Sequence, residues 1–320
     1  MRLPTEFNLR EEDIVKQDLS EGFCTKWKKK VTVQGQVKTI WIKAGSYIWG
    51  GYEHDSLGEA IASQVAEDLQ IKDVVRYKPC ILNITEPGGQ KRRTIGCYSF
   101  DFTQPDEEVI SLLHLLGYEC DDAEYSIVMR DTLKRTELQP KEFDDYIKRV
   151  MTLDAVILNE DRRLGNLAVL KNKQTGKFRI CPIFDNGQCF SLVGSRWNYD
   201  GIYNDFHVSN IKCKPFESMH DRQLEIVGVN KEALKEKQQR LGLNLNKTIA
   251  LVNRLYEMFG YGFDESWSLE KRIEVQRLRH QIGEVDEPIL LYERNFIIAL
   301  LKRRFEIVMC GQTSTYQPKY

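Results

Sequence analysis

Asp161, Asn166 and Asp185 are the residues whose types and spacing suit a reaction. The first two close the stretch Leu153-Asp-Ala-Val-Ile-Leu-Asn-Glu-Asp161-Arg-Arg-Leu-Gly-Asn166, and the third lies in its sequel, Cys181-Pro-Ile-Phe-Asp185-Asn-Gly187. Ala155 to Leu158 is an apolar run that should be buried, which leaves Asp161 just past its end and Asn166 five residues later. Leu167 to Leu170 and Lys177 to Phe184 read as two strands joined by a turn at Asn172 to Gly176, where Gly176 supplies a positive φ. A hairpin of that length returns the chain to its start, so Asp185 is expected close to Asn166. Acid, amide and acid converging in this way suit phosphoryl transfer. One Asp orients the attacking hydroxyl, while the Asn and the second Asp hold Mg²⁺ on nucleotide phosphates. Each motif alone is an ordinary cap or turn signal. The three together, in this order and spacing, favour the phosphoryl-transfer site.

Asp-x-x-x-x-Asn, a β-hairpin, then an apolar residue and Asp is also the order of the protein-kinase core. The wording here, Asn159-Glu-Asp-Arg-Arg-Leu-Gly-Asn166 and Pro182-Ile-Phe-Asp-Asn-Gly187, resembles the HipA-like kinases more than the eukaryotic ones. That family is related in fold to protein kinases and phosphatidylinositol kinases. Its loop usually reads Asp-Arg-His or Asp-Ala-His before the Asn; Arg163 stands here in place of the His, so the role of that His does not carry over. The resemblance implies an ATP- and Mg²⁺-dependent kinase acting on a serine or threonine of a protein, with autophosphorylation. It gives Asp161 the acceptor hydroxyl, and Asn166 and Asp185 the metal.

The elements that must position these groups lie on both sides of them. Gln36 to Ala44 reads as a strand, with Val37, Ile40, Trp41 and Ile42 apolar or aromatic and Lys43 at its end. Ser56-Leu-Gly-Glu59 opens a helix whose apolar face is Leu57, Ile61, Ala62, Val65 and Leu69, with Ser56 and Glu59 at capping-box spacing. A strand lysine and an early helix glutamate form the ion pair that steadies nucleotide phosphates in kinase folds. Trp41-Ile-Lys43-Ala and Gly58-Glu59-Ala60 resemble the matching HipA-like segments, which makes Lys43 a phosphate ligand and Glu59 its partner. The basic run Lys26-Trp-Lys-Lys-Lys30 precedes the alternating Val31-Thr-Val33. No Gly-x-Gly-x-x-Gly and no Gly-x-x-x-x-Gly-Lys-Ser/Thr accompanies it, so the stretch reads either as a basic solvated loop or as a phosphate-covering one in which backbone amides near Gly22 and the ammonium of Lys28 meet phosphate. Ser20, Thr25 and Thr32 are the hydroxyls near that loop. Val74 to Ile84 and Arg92 to Phe102 read as two strands broken at Glu86-Pro-Gly-Gly-Gln90. The exit of the second, with Phe100 and Phe102, is the expected adenine-binding hinge.

Further along, Asp106 to Leu116 reads as a helix start. Glu119 to Leu133 has less period and reads as an insertion or short helices. Pro140 to Leu158 reads as the buried helix that delivers the catalytic loop, and Asn186 to Pro215 as an irregular substrate-binding segment. Helices are expected over Gln223–Val227, Lys231–Leu241, Leu245–Phe259, Leu269–Ile282 and Pro288–Met309, with Gly228, Gly242, Gly260 and Gly283 at their ends.

At 320 residues the chain can form two lobes. The expected class is α+β: a protein-kinase-like fold with an amino-terminal lobe over 1–103, a small antiparallel sheet of about five strands with one helix, and a mainly helical lobe over 104–320. With a net charge of −1, nothing global points to nucleic acid as a direct partner. No apolar run reaches membrane-span length, and Met1 to Arg10 lacks the apolar core of a signal peptide. The eight cysteines contain no Cys-x-x-Cys and read as reduced thiols of a cytoplasmic protein rather than a zinc site. Two rivals to a protein kinase share these residues: a lipid or small-molecule kinase, and a pseudokinase or toxin–antitoxin-like module that binds a regulatory partner. A metal-dependent nuclease fits less well, since no other part of the chain offers a nucleic-acid surface.

Overall fold

Alternation organises the amino-terminal half of the computed structural model, which describes residues 3–15, 24–48, 51–86, 88–117, 125–159, 161–190, 212–213 and 218–311. Strands β2 (Cys24–Val33) and β3 (Gln36–Ile48) form a long hairpin. It turns through Gln34 and Gly35, both with positive φ, as a two-residue hairpin loop of matching twist requires. With β1 (Thr5–Arg10), β4 (Gly51–Tyr52), β5 (Lys78–Thr85) and β6 (Lys91–Phe100), they make a six-stranded sheet in the order β1-β5-β6-β3-β2, with β4 paired to the end of β3. The sheet is antiparallel as expected except at one edge, where β1 joins β5 in parallel. Residues 1 to 20 give little at the sequence level. The period-2 pair Phe7 and Leu9 nonetheless turns toward the outer cluster, where Leu9 is buried with Trp27, Ile40, Ile42 and Leu82.

Helix α1 (Asp55–Asp68) lies on the opposite face and is buried along nearly its whole length. It begins one residue before the expected Ser56, and the capping box does not form. The Ser56 hydroxyl donates to the carbonyl of Ile95, and Glu59 turns inward to Lys43. Buried tertiary partners claim both residues. Both ends of α1 are held by the helical lobe. At the start, His54 meets Glu293 at 3.3 Å and the Glu287 carbonyl at 3.1 Å. At the end, Asp68 accepts from the backbone N–H and the hydroxyl of Thr248, both at 2.9 Å.

The expected helix over Asp106–Leu116 is corrected to a strand, β7 (Glu107–Ser111), followed by a single helical turn, α2 (Leu112–Leu116). Pairing with β8 (Ala168–Asn172) overrides the local helical signal, and Arg179 anchors Glu107 with two bonds of 2.7 Å. With β9 (Phe178–Ile180), these strands form a three-stranded sheet under the cleft. Helix α3 (Tyr125–Thr136) precedes α4 (Pro140–Ile157), which takes Pro140 at its first turn and buries Phe143, Tyr146, Ile147, Val150 and Met151. The remaining helices run close to expectation: α5 (His220–Ile226), α6 (Lys231–Leu241), α7 (Asn246–Phe259), α8 (Leu269–Ile282) and α9 (Leu291–Met309). The Gln223–Val227 expectation starts late and the Pro288 one starts early. Among the described residues, no helix is long and apolar enough to cross a membrane.

Candidate active site

Helix α4 stops at Leu158, whose left-handed φ of 48° turns the chain out of the helix and into the loop carrying Asp161. Arg162, with no exposed surface, holds that loop. It grips Asp154 of α4 with bonds of 2.9 and 3.0 Å, and donates to the carbonyls of Asn166 and Phe184 at 3.0 and 2.8 Å and to the side chain of Asn186. One guanidinium therefore ties helix, loop and the strand leading to Asp185 into a single body. A planar five-donor fork suits that task in a way a lysine cannot. Sequence reasoning passed over Arg162 as a family letter between two candidate sites. Four residues past the apolar run, among polar neighbours, it carries no local sign of burial.

Asn166 donates its amide N–H groups to Asp161, at 2.6 Å to the carbonyl and 3.2 Å to the carboxylate. Among the described residues the amide oxygen makes no hydrogen bond. Arg163 stands 3.6 Å from the Asp161 carboxylate. Burial pushes the Asp161 carboxyl above its ordinary value, the Arg163 charge restrains the rise, and Asp185 adds to it.

Lys43 bridges Glu59 and Asp185, with its ammonium 2.9 Å from the latter and 5.0 Å from the centre of the Tyr77 ring. The second Glu59 oxygen accepts from the backbone N–H of Asn186 at 2.9 Å, so α1 and the segment after β9 are joined at this point. Gly58 allows it. A Cβ there would lie 2.7 Å from the carbonyl oxygen of Gly187 and 2.9 Å from the sulfur of Cys189. Burial raises the Glu59 carboxyl despite the Lys43 charge. Burial would raise Asp185 too, but the charges of Lys43, Lys26 and Arg162 and the Lys43 hydrogen bond hold it well below the usual carboxylate range. Asp185 also carries a positive φ of 56°, a conformation in which strain concentrates at functional sites.

The other expected residues divide. Lys28 sits at the outer end of the cleft, over the Trp41 ring and 3.2 Å from Asp101. Register puts Phe100 opposite Ile40, on the sheet face away from Lys43, with Lys38 over its ring, so its side chain does not face the cleft. Phe102 does face it and stacks on Phe184 with ring centres 6.4 Å apart. Below them lie Ala168, Leu170 and Cys181, an apolar floor. Gly22 and Ser20 lie outside the described residues, as does most of the substrate segment expected over Asn186 to Pro215. Lys26 was not singled out. It pairs with Lys43 across β2 and β3, and its charge reaches Asp185.

The donors on offer to a metal are hard oxygens, the Asp185 carboxylate and the Asn166 amide oxygen. Among the described residues no group of three His, Cys, Asp or Glu side chains gathers to hold an ion. Two protein oxygens with phosphate and water completing the shell is the arrangement Mg²⁺ favours. The residues fit the ion.

No protein-family model and no curated protein matches the sequence. Solved structures do. The Helicobacter pylori proinflammatory kinase CtkA aligns over 89% of this chain and 88% of its own, at 14% identity and a TM-score of 0.54. Weaker likenesses, at TM-scores of 0.40 and 0.39, are to HipA in the Shewanella oneidensis MR-1 toxin–antitoxin complex with HipB and operator DNA, and to the Golgi casein kinase. They share 13% and 11% identity with this chain, covering 88% and 97% of it and 63% and 73% of those chains. The fold is kinase-like, a curled strand-rich lobe set on a helical one, as the HipA-like resemblance of its residues implies.

Proposed function

We propose that the protein is an ATP- and Mg²⁺-dependent kinase that transfers the γ-phosphoryl group to a serine or threonine hydroxyl of a protein. The observation that carries this reading is Lys43 held between Glu59 and Asp185, beside the Asp161–Asn166 pair. Asp161 accepts the hydrogen bond of the incoming hydroxyl and aims its oxygen at phosphorus. Asn166 keeps Asp161 in place through its amide N–H and turns its oxygen, with the Asp185 carboxylate, to the ion. An Mg²⁺ ion held by Asn166 and Asp185 would supply positive charge to offset the negative charge that builds during transfer. Lys43, kept in the cleft by Glu59, meets the nucleotide phosphates. Phe102, Phe184, Ala168 and Leu170 take the adenine, and the backbone beyond Phe100 supplies its hydrogen bonds. Lobes over 1–103 and 104–320 divide these tasks between nucleotide and acceptor. Phosphoryl transfer asks mainly for positioning and charge neutralisation, and these residues supply both.

The test is Mg²⁺-dependent transfer of labelled γ-phosphate by purified protein, to itself and to added protein, beside Asp161→Ala and Asp185→Ala. Transfer by wild type that disappears in both folded variants supports the reading. ATP binding without transfer to any acceptor would point to a nucleotide-binding regulatory module instead.

A further inference from the structure

The geometry points to Lys26 as a second phosphate-binding cation, closing on the nucleotide's polyphosphate from β2 opposite Lys43. This deepens the kinase reading and rests on it. Lys26 and Lys43 are a directly opposed pair in the antiparallel β2–β3 ladder. Opposed residues project from the same face, with Cβ atoms about 5 Å apart. The adjacent pair, Trp27 and Ile42, is buried on the other face, which fixes the side of the sheet from which both lysines emerge. Lys43 reaches Glu59 and Asp185, so Lys26 is suspended over the same ground. The register shifts between Cys24 and Lys26, whose partners Ser46 and Lys43 are three residues apart, so the extra residue lies on β3 next to Lys43. Bulges next to active sites commonly re-aim a side chain.

Two ammonium groups facing each other across a ladder repel, and such a pair is steadied by negative charge between them, which within the chain Asp185 supplies and which a bound polyphosphate would increase. The Lys26 side chain makes no hydrogen bond or ion pair among the described residues, whereas Lys28, two residues on, is taken up by Asp101 and Trp41. Lys43 is shared by two carboxylates within the chain. What remains is a half-buried cation aimed at the place where the polyphosphate must pass. The sequence offers no glycine-rich phosphate loop, and a strand lysine at this register supplies as side-chain charge what that loop supplies as backbone N–H.

Calorimetric titration of the full chain with ATP·Mg²⁺ and, separately, with adenosine tests this, using Lys26→Gln and Lys26→Arg beside Lys30→Gln, an exposed lysine farther along the same strand. Lys26→Gln is expected to weaken ATP·Mg²⁺ by about ten-fold or more and to leave adenosine within about two-fold. Lys26→Arg should recover most of the loss, and Lys30→Gln should behave as wild type. Unchanged ATP affinity in Lys26→Gln overturns the proposal, and so does an equal loss of adenosine, which would mean a distorted cleft. If wild type binds neither ligand, the kinase reading falls with it; binding that ignores Lys26 removes this inference alone.

Discussion

Arg162 makes five hydrogen bonds in a position without exposed surface, and its main counter-charge, Asp154, is equally buried. Removing one member of a buried pair leaves the other uncompensated, at a cost of about 3–5 kcal/mol. Arg162→Met should lower unfolding free energy by that amount in a urea titration. A loss under about 1 kcal/mol would mean that Asp154 finds another partner. The acids beside it govern pH response. The Asp161 carboxyl is raised by burial, so its ionised form, the one the proposed kinase reading uses, is lost as pH falls through a value above the ordinary ~3.9. The acid limb of kcat/KM should lie above that value and move higher in Arg163→Gln, where the restraining charge is gone. The linked stability runs the other way. A carboxyl raised in the fold favours the native state while protonated, and that contribution is lost as pH rises through the raised value. Asp185, held low by Lys43, contributes stability above the ordinary value that is lost as pH falls.

Helix α1 is the element on which the site depends most, because its small residues let backbone approach backbone. Gly58→Ala would put a methyl group against the Gly187 carbonyl and the Cys189 sulfur. Overpacking of this kind costs about 1–3 kcal/mol, and the strain falls on the segment that carries Asp185. Phosphotransfer should fall further than thermal stability does; equal, small losses would show that the helix simply shifts aside. At its far end, Asp68 caps α7 from outside, accepting from the N–H and hydroxyl of Thr248 where Leu245, at the cap position, offers no side-chain acceptor. Asp68→Ala should cost about 1 kcal/mol by chemical denaturation, the ordinary worth of a cap. This element was legible as a helix but not as a joint. Ser56 and Glu59 have the letters of a capping box, and only the neighbouring strand and the chain after Asp185 show that both point elsewhere.

Across the whole molecule, the sequence carried what local chemistry could carry. The return of the chain after Phe184 to the neighbourhood of Asn166 was readable because the hairpin between them has a fixed length, and α4 because its apolar residues recur at three and four. β7 was not readable, since Glu107 to Ser111 becomes a strand only when β8 lies beside it. Lys26 was hidden for a related reason. Which lysine of β2 lies opposite Lys43 is decided by register against β3, and register is not written in a basic run. The side of Phe100 was set the same way. The lobes are also clasped behind the cleft, where Arg93 and Asp286 exchange backbone and carboxylate bonds at 3.0 and 2.7 Å. With α1 tethered to the helical lobe at His54 and Asp68, that clasp leaves the Lys43–Glu59 pair no route to separate by a swing of the helix. Hydrogen exchange along α1 should therefore occur only with global unfolding, and earlier exchange there would show that the tethers open. For chemical inhibition, this removes a familiar foothold. On the kinase reading proposed above, a compound that wedges behind a displaced helix would first have to break those tethers, which leaves the stacked Phe102 and Phe184 as the aromatic surface open to it.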